Sequence, residues 1–465
     1  MRLFRGWRHR TAWLVASGVV AAIVLAAVVD VGMLEYHRHS GPQLVTSTDC
    51  VGQPTGAKPT DSQIGPSQWT MFDGNAGNSA VIPSSQQLRA KWSFTTGSPV
   101  VTAPSVVNGV AYVGSMDTCA YALDAKTGKL LWSFATDNQL MSQPLVVNGS
   151  VFLASGNKGF IGSIRGTGKN GIYALNAKTG KQEWFVPTVG ENMATPAYSN
   201  GVIYEAGGGS MFYAIDAKTG KLLWSVPDGA IDSMSSPKVV GNIAVFGQCQ
   251  PCQVTGVNIQ THQVAWVVPL ANAVSGVDDN SPAVSGGTVY VQAPEGAVFK
   301  QLVEIAIDAQ TGKVLWQHTL GVDKLNAAQR AAGEGELDSL GGEEVGVASI
   351  VGNTLYVGTP GIPDLWALNA TTGQQIWQTS LPQAVRSAPA VDGQTIYATG
   401  NDQLFTLSAT TGKLLAHRRY NTFVEGSGIM VPCTTAPPEI VGGTLLLAGG
   451  NNGSTISAVP LGATP

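Results

Sequence analysis

The sequence is poor in the residues on which several kinds of catalytic site depend. Only 6 of its 465 residues are histidine, and charged residues make up 12% of the chain, about half the usual share. No phosphate-binding Gly-Lys-Ser/Thr loop is present. Three histidines precede the repeats described below and three lie on or beside predicted outer strands, so none is available for a nucleophilic triad: His9, His37, His39, His262, His318 and His417.

Charge of one sign is also scarce. The net charge is only -4, which gives no reason to expect nucleic acid as a partner. The 57 glycines, together with the low charge, fit a chain of many short strands and turns. A barrel or propeller of this length can be a single domain.

One short pattern recurs along the chain and organises the rest of it. It reads Ala-x-Asp/Asn-x-x-Thr-Gly-x-x-x-Trp and occurs in full at 122–132, 174–184, 214–224, 306–316 and 367–377. Two copies are degenerate: 256–266 has His262 in place of glycine, and 406–416 has Ala416 in place of tryptophan. Repeats at this spacing indicate a propeller, a solenoid or an array.

Each copy predicts a β-hairpin. Its first residues alternate apolar and polar, as in a half-buried strand, and the Asx and Thr-Gly residues then form a tight turn. The closing tryptophan recurs once per repeat, so we expect it to dock on the alanine and the turn of the neighbouring repeat. We assign this structural role to Trp92, Trp132, Trp184, Trp224, Trp266, Trp316 and Trp377.

A second hairpin precedes each copy and completes a four-stranded unit, as in a propeller blade. Seven such units run along the chain, and residues 437–459 supply three further strands. The isolated strand at 88–96, which carries Trp92, supplies the missing fourth. The sequence therefore predicts an all-β, eight-bladed β-propeller closed by strands from both ends of the chain, or a seven-bladed one if the two ends do not pair.

These repeats resemble the pyrroloquinoline-quinone (PQQ)-type repeat with its tryptophan-docking motif, over roughly 69–459. Proteins with this repeat include quinoprotein dehydrogenases and outer-membrane-assembly propeller lipoproteins. The segment at 68–80 is also similar to the one that precedes the first repeat in those proteins. The chain departs from both groups. It has no adjacent cysteine pair, no Cys-x-x-Cys-His haem site and no lipoprotein box at Cys50.

The N-terminus carries a membrane-targeting pattern. Arginines in residues 1–10 precede an uncharged apolar run at 11–29, long enough to cross the hydrocarbon core. We predict a cytoplasmic tail, a transmembrane signal anchor at 11–29, a flexible linker at 30–67 and an extracytoplasmic propeller at 68–465. A cleaved signal peptide is the alternative.

Polar residues precede the innermost strand of several units and could converge on one funnel at the central channel. They are Glu191, Asn192, Asp232, Asp278, Asp279, Asn280, Glu343, Glu344 and Arg386. Carboxylates with an asparagine suit a hard cation such as calcium. The resemblance implies a calcium ion with PQQ at such a place in the dehydrogenases. The alternative is a solvated rim of loop residues.

The five cysteines predict at least one disulfide. Cys249 and Cys252 are most simply a local disulfide in a blade turn, since an extracytoplasmic chain is exposed to oxidising conditions. A bridge between Cys119 and Cys433 would join the first and last blades, with Cys50 competing for either partner.

From the residues and the resemblance we expect a monomeric, non-catalytic binding or scaffold module, with envelope-protein assembly as one version. It would engage protein partners through the face that carries the insertions at 156–171, 294–301 and 321–344. We expect no cofactor, metal or catalytic residue. The alternative is a PQQ- and calcium-dependent quinoprotein dehydrogenase.

Overall fold

The computed structural model describes residues 50–461, except 61–63, 67, 69, 76, 79–80, 83–86, 157–168, 233, 271–272, 274–275, 280, 296–300, 323–345, 361–362, 401–402, 421–435 and 451–452. Within this part of the chain the fold is an eight-bladed all-β propeller, as the repeats predicted. Short 3-10 turns occur at Phe72–Gly74 and Val277–Asp279. None of the described helices is long and apolar enough to cross a membrane, and the predicted span at 11–29 lies outside the described residues.

Each blade is an antiparallel sheet whose strands we name a to d from the central channel outward, because the first strands of neighbouring blades contact one another. Blade 1 comprises Ser105–Val107, Val110–Gly114, Cys119–Asp124 and Leu130–Ala135. Blade 2 comprises Leu145–Val147, Ser150–Ser155, Gly171–Asn176 and Gln182–Pro187. Blade 3 comprises Ala197–Ser199, Val202–Gly207, Met211–Asp216 and Leu222–Pro227. Blade 4 comprises Lys238–Val240, Ile243–Gln248, Gln253–Asn258 and Gln263–Pro269.

The second half of the ring repeats the same order. Blade 5 comprises Ala283–Ser285, Thr288–Glu295, Gln301–Asp308 and Val314–Val322. Blade 6 comprises Ser349–Val351, Thr354–Thr359, Asp364–Asn369 and Gln375–Ser380. Blade 7 comprises Ala390–Asp392, Thr395–Thr399, Gln403–Ser408 and Leu414–Arg419. Blade 8 comprises Glu439–Val441, Thr444–Gly450, Thr455–Pro460 and the N-terminal strand Trp92–Thr95.

Pairing of Trp92–Thr95 with Thr455–Pro460 closes the ring, with Trp92 opposite Ala458. The prediction that the isolated N-terminal strand completes the last blade is confirmed, and the seven-bladed alternative is wrong. The last sheet has a fifth strand that the sequence did not reveal, because Val81–Ile82 pairs in parallel with Glu439–Val441. Closure leaves no unpaired edge between the first and last blades.

The recurring tryptophans join each blade to the next. The indole nitrogen of Trp132 donates to the carbonyl of Ala177 at 2.8 Å, and that of Trp377 donates to Ala409 at 3.0 Å. Gly180 faces the Trp132 ring so closely that any Cβ there would overlap it. At Trp224 the neighbouring glycine is replaced by His262, whose ring stacks on the indole at 4.5 Å. In this degenerate repeat the tryptophan therefore stacks on an imidazole ring, whereas in the other repeats it packs against the backbone of a glycine.

The propeller has two sides. The a–b and c–d hairpins turn on one side, which we call the turn side. The b–c hairpins and the connectors between blades lie on the other, the connector side. The strands that flank the insertions near 156–171, 294–301 and 321–344 all end on the connector side. Residues 157–168, 296–300 and 323–345 themselves lie outside the described residues.

Residues 64–82, which we call the lead-in, cross the ring before the first blade begins. Ile64 accepts a hydrogen bond from Gly109 of blade 1, and Thr70 accepts one from Tyr198 of blade 3. Gly77 then accepts one from Ile350 of blade 6, before Val81 reaches blade 8. The lead-in therefore contacts blades on opposite sides of the channel.

The segment from Cys50 onward lies within the predicted linker 30–67, yet it contacts blade 1. A disulfide joins Cys50 to Cys119, and Thr55 donates to the carbonyl of Leu130 at 3.0 Å. The bridge considered between Cys119 and Cys433 is therefore wrong, because Cys119 is bonded elsewhere. Cys433 itself lies outside the described residues.

Candidate functional site

Those of the predicted funnel residues that the structure describes lie in the connectors between blades. Glu191 and Asn192 lie between blades 2 and 3, packed against Gly207 and Gly208 of blade 3. Asp279 is exposed. Arg386 lies in the connector between blades 6 and 7, where its carbonyl accepts from Val347. Asn280, Glu343 and Glu344 lie outside the described residues.

Two of the predicted residues, Asp232 and Asp278, belong to a group of four buried acidic side chains. The others, Glu205 and Asp228, were not predicted. Asp228 and Asp232 lie in the connector from blade 3 to blade 4, and Asp278 lies in the next connector. Glu205 lies on strand b of blade 3. We call these four residues the acidic cluster; Glu205 and Asp232 are fully buried, and the exposed fractions of Asp228 and Asp278 are 4% and 7%.

The backbone around the acidic cluster is held by two sets of hydrogen bonds. The amides of Met234 and Ser235 donate to the carbonyl of Asp278 at 2.8 and 2.7 Å, which ties the two connectors together. Ile231 and Cys249 exchange backbone hydrogen bonds of 2.8 and 2.9 Å. These bonds fix the cluster against the b–c hairpin of blade 4.

A disulfide closes that hairpin, because Cys249 and Cys252 are joined at its tip. Both cysteines are buried. Behind them, Gln248 donates to the carbonyl of Ala230 at 3.0 Å and accepts from Thr255 at 2.6 Å. The hairpin is thereby fixed from the inside as well as at its tip, so the cluster has a rigid support.

The environment of the acidic cluster favours protonated carboxyl groups. Burial raises the pKa of Asp232 well above its ordinary value of 3.8, and the charges of Glu205, Asp228 and Asp278 raise it further. The backbone amide of Ser235 approaches the Asp232 carboxyl without reaching hydrogen-bond geometry. Burial likewise raises the pKa of Glu205 well above 4.5 and that of Asp228 to about 7. The cluster can therefore both hold and exchange protons near neutral pH.

A second buried polar group lies where the lead-in crosses the channel. The Lys238 ammonium donates to the carbonyls of Phe72 and Asn75 at 2.7 and 2.9 Å. Burial lowers the pKa of Lys238 to about 7 and raises that of Asp73 to about 8. The Asp73 amide donates to Gln143, whose side-chain amide donates to Glu439 at 3.1 Å. Since these bonds are made to the lead-in backbone, this group anchors the lead-in.

The residues that sequence reasoning missed do carry a signal. Glu205 is the one charged residue in the otherwise apolar strand Val202–Gly207. Lys238 opens strand a of blade 4, where blade 8 has Glu439 and the other blades have alanine, serine or leucine. Each is therefore an outlier when the repeats are compared position by position. Glu304 is a third outlier of this kind, fully buried on strand c of blade 5 opposite Gln292.

The acidic cluster does not fit a calcium ion with PQQ. Calcium takes six to eight oxygen ligands, chiefly ionised carboxylates and carbonyls. Among the described residues, no three histidine, cysteine or acidic side chains are arranged to hold a metal ion. The raised pKa of Asp232 also favours the neutral carboxyl over the ionised ligand that calcium requires.

Comparison with known proteins identifies relatives along almost the whole propeller. A family model described as outer membrane protein assembly factor BamB matches residues 61–168, 160–305 and 299–461. Tetrathionate hydrolase of Acidithiobacillus ferrooxidans is 32% identical over an alignment of length 462. The alignment includes 86% of this chain and 87% of that protein.

Solved structures share the fold. The structure of BamB from Moraxella catarrhalis superposes with a TM-score of 0.56 at 13% identity, covering 79% of this chain and 98% of the other. The quinohemoprotein alcohol dehydrogenase from Comamonas testosteroni gives a TM-score of 0.61 at 14% identity, covering 86% and 81%. At these identities the likeness establishes the propeller alone.

Proposed function

The chain belongs to the family of PQQ-type repeat propellers that the BamB model describes, and we propose that it is a hydrolase whose proton donor is Asp232. One observation carries the proposal: Asp232 is fully buried beside three further acidic residues that raise its pKa. Clustered carboxyl groups with raised pKa are costly to bury and are typical of acid–base sites.

The substrate class follows from the hydrolase relative, which matches this chain along nearly its whole length. We propose a small sulfur oxyanion such as tetrathionate. In its hydrolysis a sulfur–sulfur bond breaks and the oxygen of water bonds to one of the two sulfurs. The other sulfur leaves with the electron pair and takes a proton from Asp232. A neighbouring carboxylate, Asp228 in its ionised form, takes the proton that water loses.

We propose that the propeller lies outside the cytoplasm, held by the apolar run at 11–29. The basic residues before this run favour a cytoplasmic N-terminus. The disulfides Cys50–Cys119 and Cys249–Cys252 support the placement, because disulfides persist in oxidising compartments.

A scaffold role in envelope-protein assembly is the second candidate. The family model carries the name of an assembly factor. Large apolar side chains are also exposed on the outer strands of blades 3 to 7, among them Leu222, Leu223, Leu315, Ile376 and Leu415. Such a surface can bind a protein partner, and the insertions on the connector side could add to it. This candidate predicts no turnover of sulfur oxyanions and no functional effect of changes at Asp232.

The test is an assay of the full-length protein, purified in detergent, with tetrathionate as substrate. We expect release of thiosulfate above the rate without protein. Addition of PQQ and calcium should change neither this rate nor dye reduction, and no stoichiometric quinone should remain bound. Absence of turnover between pH 3 and 8 would contradict the hydrolase proposal, and tight quinone binding with dye reduction would favour a quinoprotein dehydrogenase instead.

A further inference from the structure

Methionines occupy equivalent positions in three successive connectors on the connector side. Each lies three residues before the proline that leads into strand a: Met141 before Pro144, Met193 before Pro196, and Met234 before Pro237. The same position holds other residues elsewhere in the ring, namely Val101, Asp279 and Arg386. The repeat therefore brings three thioethers to one sector of the channel mouth, below blades 1 to 4.

These side chains pack together with a fourth methionine. Val101, Met141 and Met193 form a buried cluster, and the partly exposed Met116 and Met234 pack against it. Four of the chain's 9 methionines are thus in one five-member group. The clusters between blades consist of aliphatic and aromatic side chains and the disulfide cysteines, with Met211 the one methionine among their described members. Methionine is therefore concentrated on the connector side at the channel mouth and is rare in the hydrophobic clusters between blades.

Backbone hydrogen bonds hold two of these methionines in place. The Met116 amide donates to the carbonyl of Pro99 at 2.9 Å, and the Met234 amide donates to that of Asp278 at 2.8 Å. Partial exposure of Met116 and Met234 gives access from the connector side. Residues whose backbone is already fixed lose less freedom when a ligand binds.

From this geometry we propose that Met116, Met141, Met193 and Met234 form a binding site for a soft monovalent metal ion, Cu(I). Thioether sulfur is a soft, polarizable ligand that selects Cu(I) over harder cations. The site uses different side chains from the acidic cluster and goes beyond the proposed hydrolysis. It takes up the ion without any change of oxidation state.

The test uses Ag(I) as a redox-inert probe of the full-length protein, with methionine methyl groups labelled with carbon-13. All proteins carry Cys433→Ser, because a cysteine outside the two disulfides would bind the probe. We expect one equivalent of Ag(I) to shift the methyl signals of Met116, Met141, Met193 and Met234, and to leave Met71 and Met211 unchanged. Since a thioether has no proton to lose, saturable binding should persist at pH 5. Anaerobic competition with a chromogenic Cu(I) chelator should then give the same stoichiometry.

Leucine variants test which side chains bind, because Leu and Met have similar volumes and the fold tolerates the exchange. We expect Met141→Leu and Met193→Leu each to weaken Ag(I) binding by at least about tenfold, as loss of even an outer-shell partner does at other metal sites. Met211→Leu is the matched control and should bind as the parent does. Absence of saturable binding in the parent, or unchanged binding in both variants, would overturn the proposal. The binding test contains no tetrathionate, so neither result decides whether the protein is a hydrolase.

Discussion

Asp232→Asn is expected to lower the rate of tetrathionate hydrolysis by about 10²–10⁴-fold, the range for loss of a general acid. Asparagine has nearly the same shape as a protonated aspartic acid but cannot give up a proton to the leaving sulfur. The fold should survive, because the folded chain already favours the neutral form of this side chain. The measurement is kcat for the variant and the parent over the same pH range, with the melting temperature of each.

Glu304→Gln is the matched control for this variant. Glu304 is also fully buried, and burial raises its pKa well above 4.5, but it lies on strand c of blade 5 and is not part of the acidic cluster. It should keep the activity of the parent. Equal losses in both variants would point to a general effect of burial, and full activity of Asp232→Asn would remove Asp232 from the mechanism.

Acidification from pH 7 to pH 5 is expected to stabilise the folded chain. Burial raises the pKa of Glu205, Asp232, Glu304 and Glu439 above their values in the unfolded chain, so between those values the folded state binds more protons. Stability is then greatest near the unfolded pKa of about 4 and falls as pH rises toward the folded pKa. Between its unfolded and folded pKa, one such group contributes at most about 1.4 kcal/mol per pH unit.

Among the groups with lowered pKa, Asp216 and Asp308 do not oppose this trend between pH 5 and pH 7. Burial lowers the pKa of the His318 imidazole from 6.5, so this single group opposes the four buried carboxyl groups. Hydrogen bonds from Thr219 and Thr311 hold the pKa of Asp216 and Asp308 below 3.8, so their contribution is lost only in stronger acid. Urea unfolding at a series of pH values measures the slope. Glu205→Gln should make the unfolding free energy depend less steeply on pH, because it removes one of the buried carboxyl groups. The exposed Glu183→Gln should leave the slope unchanged. A free energy of unfolding that falls between pH 7 and pH 5 would show that the buried carboxyl groups are ionised.

The sequence predicted the ring because the features that build it are local and repeated. The spacing between the Thr-Gly turn and Trp132 recurs in register, and each hairpin brings its tryptophan opposite its alanine, as Trp224 stands opposite Ala214. Closure by Trp92–Thr95 was also predictable, since one strand was left over at one end and one was missing at the other.

The contacts of the lead-in could not be predicted from the sequence, for a physical reason. Its contacts join residues far apart in the chain, such as Phe72 with Lys238, and they use backbone carbonyls that carry no sequence signal. The parallel pair of Val81–Ile82 with Glu439–Val441 involves only two lead-in residues, too few for an alternating pattern.

The acidic cluster was half predicted. Asp232 and Asp278 precede inner strands, so the connector pattern placed them near the channel. Glu205 comes from a strand and Asp228 from the far end of a connector, and only packing brings them to Asp232. The same pattern also selected Asp279 and Arg386, from the connectors before blades 5 and 7, and their place in a common funnel stays a prediction.

The protonation state of Asp232 at working pH tests the account most directly. Carbon-13 NMR of the aspartate carboxyl groups, with the Asp232 signal assigned by its loss in Asp232→Asn, follows that state through a pH titration. We predict that the signal stays at the position of a neutral carboxyl at pH 6, well above the ordinary pKa of 3.8. A signal already at the position of a carboxylate at pH 5 would contradict the proposed proton donor.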